Sequence, residues 1–217
     1  MLFRSARFLP EGMDRSDMLR ALAGEIVDWI APLAAALLVG EWVARLFNPR
    51  GSQAYGPDHV GVGHLILGQA PATTTPASSA RWGLVALAIT VAAALAVIRL
   101  TSGGLLTTIR QGQTFFSIGA AFFAGALVAH QITRARHALW PMLAIPIVAA
   151  IGYLLGAARP VPAVPEVYQS IIQIMPNAAC RALPVEYMAM GPIGVLLGLW
   201  TSERMNEASR LDRKSVV

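Results

Sequence analysis

Lysine is almost missing from this chain. The single one, Lys214, stands among the last four residues, so no lysine lies in an apolar stretch to carry a Schiff base or another lysine-centred mechanism. Cysteine is as scarce. Cys180 stands alone, which excludes an intrachain disulfide and any CxxC motif, and it reads as a small apolar filler. Charge is thin: Asp, Glu, Lys and Arg make up 13% of the residues, against about 25% in soluble globular domains. Recognisable catalytic signatures are also missing. The sequence has no glycine-rich phosphate loop, nucleophile elbow or HExxH, and no paired carboxylates within an apolar run. These absences point away from an enzyme with chemistry of its own, and no nucleic-acid partner is expected.

What is present is apolar. Hydrophobic residues are 55% of the 217, and the mean hydropathy is +0.55. The stretch 114–157 consists of two long apolar arms around the short basic turn ITRARH. A helix rises about 1.5 Å per residue and needs roughly 20 apolar residues to cross a hydrocarbon core of about 30 Å. Both arms approach that length, which predicts a transmembrane helical hairpin. In lipid every backbone donor and acceptor must be satisfied internally, which leaves helical bundles and closed barrels. The apolar runs here are continuous, without a two-residue alternation, and are rich in Ala, Leu and Gly. The fold class is therefore an all-α integral membrane protein. The pattern predicts a bundle of about five transmembrane helices, four to six being compatible with it, and a short amphipathic surface helix.

In chain order, residues 1–24 read as an N-terminal surface segment, amphipathic from Asp14 onward. A single transmembrane domain over 25–203 follows, with spans at 26–47, 82–101, 114–131, 138–157 and 185–200, and a polar tail closes the chain at 204–217. Pro32 is tolerated within or just beyond the first turn of the first span, whose start Asp28 can cap. The polar loop 48–81 ends in a Pro, Ala, Thr and Ser mixture typical of linkers. Pro146 should kink the fourth span, and Gly191-Pro192 should interrupt the last. Between them, Pro165 can open a surface helix over 166–175.

Candidate sites are few. Glu41 and Arg45, four residues apart, can pair on one helix face at headgroup depth; a carboxylate deeper in the membrane would instead suggest proton handling or partner binding. Asp58, His59 and His64 form the one local group of ligand-type residues, and imidazole with carboxylate suits Zn, Cu or Fe, although the spacing matches no metal motif. An ordinary surface loop explains them as well. His59, His64, His130 and His137 are weak candidates for haem, metal or pigment. The protein's size, span number and four histidines resemble, in outline, the small membrane cytochrome b subunits of respiratory enzymes, which would imply b-type haem. His130 and His137 flank one short turn, however, and cannot clamp a ring between spans. No cofactor is indicated.

Small residues carry more information. Ser117, Ala121 and Gly125 recur at steps of four, as do Gly194 and Gly198. In lipid, helices associate through close packing rather than the hydrophobic effect, so such stripes mark faces that meet another helix. Orientation is left open, because the five-span topology puts eight basic residues on the N-terminal side and nine on the other. The expected partners are the lipid bilayer and other membrane subunits, and the expected location is a plasma (inner) membrane of the bacterial type. Three functions are expected to compete: a non-catalytic accessory or scaffold subunit, a transporter or channel component using Glu41 and broken helices, and a redox subunit using the histidines.

Overall fold

The computed structural model describes residues 15–47, 76–101, 111–133, 138–158 and 179–215. Among the described residues the chain is all-helical, with no strand. The elements are α1 (Arg15–Asp28), α2 (Ile30–Phe47), α3 (Pro76–Thr101), α4 (Gln111–Thr133), α5 (Leu139–Ala158), a 3-10 turn (Ala179–Arg181) and α6 (Pro184–Ser215). Among the described residues three stretches are long and apolar enough to cross a membrane: Ala80–Thr101, Gly112–Thr133 and Leu139–Ala158.

These three helices and α6 form the core together with the buried face of α1, and α3, α4, α5 and α6 run antiparallel to their neighbours in sequence. α3 meets α4 where Thr90 lies against Gly125. α3 also meets the start of α5, where Gly83 accommodates the indole of Trp140. On α3 the buried positions are Gly83, Ala86, Thr90, Ala94 and Ile98, a narrow stripe of mostly small side chains that lets α4 approach. Thr90 is fully buried and spends its hydroxyl on the Ala86 carbonyl at 2.8 Å, so it presents no unsatisfied group to α4. α6 runs parallel to α4 and antiparallel to α5, whose Ile145 fills the space at Gly191.

The first predicted span is divided. A helix over 26–47 would need to pass Pro32, whose ring clashes with the carbonyl four residues back, that of Asp28. The chain responds by ending α1 at Asp28 and restarting α2 at Ile30, with Leu33 N–H donating to the Trp29 carbonyl at 3.1 Å. Pro32 thus sits in a first turn as expected, but the helix it belongs to begins later. The N-terminal segment differs too. α1 buries Met18, Leu19, Leu22, Ala23 and Ile26, and packs them on α5, with Leu19 against Gly156. Its other face carries Asp17 and Arg20, paired at 3.1 Å and well exposed, a pair that adds only a few tenths of a kcal/mol.

The last helix also departs from expectation. α6 continues through Gly191-Pro192 without a break and past Trp200 to Ser215. Proline costs one backbone hydrogen bond, but here the same turn is held by Ile145 at Gly191 and by α4 at Gly194. Beyond Trp200 the sequence SERMNEASR supplies good helix formers, so the part expected as a solvated tail is helical through Ser215. Pro146, the position expected to kink the fourth span, lies buried inside the single helix α5. The surface helix expected over 166–175 lies outside the described residues.

Candidate functional site

Two polar clusters of the described residues lie at opposite ends of the bundle. At the end shared by the C-terminus of α4 and the start of α5, His130 Nδ1 lies 2.7 Å from Ser202 Oγ on α6. Gln131 Nε2 donates to the same hydroxyl at 2.8 Å and to the Ser202 carbonyl at 3.2 Å. His130 and Ser202 are both buried, Ser202 completely. The register that makes this contact is set lower down. Gly194 sits on the Gly119 carbonyl of α4 and Gly198 on the Phe123 carbonyl one turn later, so the next small residue at that spacing, Ser202, arrives beside His130.

At the opposite end, a connection that would otherwise bury bare backbone is held by two tyrosines. Tyr153 on α5 donates to the Ala182 carbonyl at 2.6 Å, and Tyr187 on α6 donates to the Ala179 carbonyl at 2.8 Å. Buried backbone carbonyls need such partners. The two rings meet edge to face at 6.4 Å, and Phe122 meets Tyr187 in the same way at 6.4 Å. Glu186 is the third residue of α6. Its carboxylate accepts from the Leu183 N–H at 3.0 Å, closing the helix start as in a capping box. Cys180 is buried in this layer against Gly156.

The chemistry available here is that of packing and hydrogen bonding. A serine hydroxyl against an imidazole is the beginning of a nucleophilic pair. Ser202, however, has no exposed surface, and its oxygen is also occupied by Gln131. Among the described residues no group of three His, Cys, Asp or Glu side chains could hold a metal ion.

The expected site residues fall into three sets. Ser117, Ala121 and Gly125 are buried on α4, and a side chain added at Gly125 would lie 2.9 Å from the Thr90 carbonyl on α3. Gly194 and Gly198 meet the opposite face of α4. Both stripes are thus used within this chain. His130 joins Ser202, whereas Asp58, His59, His64 and His137 lie outside the described residues. Glu41 and Arg45 fall within α2, one helical turn apart, and their side chains also lie outside the description.

Ser202, Gln131, Tyr153, Tyr187 and Glu186 are not among the residues that the sequence singles out. Ser202 carried a usable signal, because it continues the four-residue step of Gly194 and Gly198. Comparison with protein-family models, with curated proteins and with solved structures gives no match for this chain.

Proposed function

We propose that the protein is a non-catalytic accessory or scaffold subunit of a larger membrane complex, located in a bacterial plasma membrane. On this reading the chain crosses five times, through α2, α3, α4, α5 and the apolar first half of α6. Its stripes of small residues are spent on building the bundle, and its partner contacts lie elsewhere.

The observation that carries the proposal is α2. This helix is apolar along most of its length, yet within the described chain it packs chiefly on α1. Leu38 is 66% exposed and Val39 is 58% exposed, with Ile30 also exposed. A helix that is hydrophobic all round belongs in a core or in a membrane. Among the described residues nothing else covers Ile30, Leu38 and Val39, so a bilayer together with another subunit is the setting we propose for it. The internal use of polar groups supports the same reading: His130, Gln131, Ser202, Tyr153 and Tyr187 bond to one another or to backbone.

Transport draws on discontinuous helices, and α5 and α6 run continuously through their prolines. A redox role draws on histidines, and the described one has its Nδ1 engaged by Ser202. The accessory role therefore stands ahead of both. The test is native mass spectrometry of the protein extracted gently from its own membrane. Further protein chains at fixed stoichiometry are expected, and a monomer or homo-oligomer alone would overturn the proposal.

A further inference from the structure

α1 shows a different surface from the rest of the bundle. Outward from α3, α5 and α6 stand large apolar side chains such as Leu84, Leu154, Leu155, Ile193 and Leu197, a composition suited to acyl chains. α1 instead exposes Asp17, Arg20, Ala21, Gly24 and Asp28, and among its described residues Val27 is the one large apolar side chain left exposed. Positions 17, 21, 24 and 28 follow steps of three and four, so they share one helix face.

Depth decides what this face needs. Leu19 packs on Gly156, close to the end of α5 at Ala158. α1 lies along α5, and its later residues Leu22, Ala23 and Ile26 are buried as well. Because α5 ends just past Gly156, these residues can pack on it only by running back along it, toward its middle. Glu25 agrees with that direction, since it lies near enough to the Tyr153 phenol for its charge to act there. At about 1.5 Å per residue, Asp28 stands roughly 13 Å beyond Leu19 along the helix. If α5 crosses the bilayer, Asp28 lies inside the hydrocarbon layer, and α1 begins the crossing that α2 completes.

An ionised carboxylate at that depth is costly unless a cation meets it. Asp17 has Arg20 at 3.1 Å, but among the described residues no cation pairs with Glu25 or Asp28. Asp28 is also the last residue of α1, and the position four residues on is Pro32, which has no N–H to give its carbonyl. The helix end therefore adds partial negative charge beside the carboxylates. There is room for a partner too, because a side chain added at Gly24 would meet nothing within 4 Å.

We infer that this face of α1 receives a membrane-spanning helix of another subunit, through a lysine or arginine that the partner carries at the depth of Asp28. The inference rests on the subunit reading above and names the partner's chemistry. The basic side chain meets Glu25, Asp28 and the Asp28 carbonyl, while the small Ala21 and Gly24 let the partner helix approach closely. The surface continues into the exposed start of α2 at Ile30.

The experiment places a photoactivatable cross-linking residue at position 24 of the full chain and irradiates membranes of the native host. The partner peptide recovered from the adduct should hold a lysine or arginine within an apolar run of spanning length. Asp28→Asn in the same chain should lower the adduct yield roughly tenfold or more, because the partner's charge is left unpaired, and Asp28→Glu should retain most of it. Asp28 is exposed, so both variants should unfold in detergent at the wild-type temperature. If Asp28→Asn does not fold, the sequence of the cross-linked peptide decides alone. A peptide without a basic residue in its apolar run, or a yield unchanged by Asp28→Asn, would overturn the inference. An adduct from position 38 but none from position 24 would overturn it and leave the subunit reading standing. No adduct with another protein from either position would overturn both.

Discussion

Gly198 has the Phe123 carbonyl where a side chain would begin, and Gly194 has the Gly119 carbonyl. Neither neighbour can yield, because each is helix backbone. Gly198→Leu should therefore force α6 away from α4 and cost more than about 2 kcal/mol, at the upper end of overpacking effects. It should also separate His130 from Ser202. Ser202→Ala tests that contact without adding bulk. It leaves His130 and Gln131 facing a methyl group in a buried site, with an expected loss of roughly 1 to 3 kcal/mol. Thermal unfolding in detergent measures both. A Gly198→Leu protein as stable as the wild type would contradict the packing described between α4 and α6.

Elements differ in how firmly they are held. α1 buries Leu19 and Ile26 completely against the bundle, whereas α2 leaves Leu38 two-thirds exposed. In the isolated chain, Leu19→Ala should cost about 2 to 5 kcal/mol and Leu38→Ala less than about 0.5 kcal/mol. Equal effects in the same unfolding assay would contradict the division of the N-terminal region into a docked helix and an uncovered one. That division was only partly legible in the sequence. Pro32 was visible and its place in a first turn was foreseeable, but the restart at Ile30 follows from the clash with the Asp28 carbonyl, which a count of apolar residues does not register. Gly191-Pro192 misled in the other direction. A Gly-Pro pair reads as a break until Ile145 is seen to occupy the space at Gly191 and α4 the space at Gly194 in the same turn. The three candidate spans in α3, α4 and α5 were legible because length and continuous apolar composition alone define them.

At the scale of the whole molecule, the contacts that organise the bundle join residues far apart in the chain. His130 and Ser202 are 72 positions apart, and Tyr153 and Ala182 are 29 apart. One sequence shows that His130 and Tyr153 lie in or beside apolar runs, but not what they meet, since the partner depends on the register between helices. Small residues at steps of four marked the packing faces, and only the fold reveals that α3 and α6 fill them from within the chain. This shifts the expected partner surface away from Gly125, Gly194 and Gly198 and toward α2. Substitutions at Gly125 should therefore disturb the fold of this chain itself, with a drop in its thermal stability in detergent.

If another subunit covers α2, a photoactivatable cross-linking residue at position 38, irradiated in intact membranes of the native host, should give a discrete adduct between this chain and a different protein. The adduct should be absent when the same residue replaces the buried Leu19. Adducts only with a second copy of this chain, or none with any protein while the variant remains folded in the membrane, would contradict that coverage.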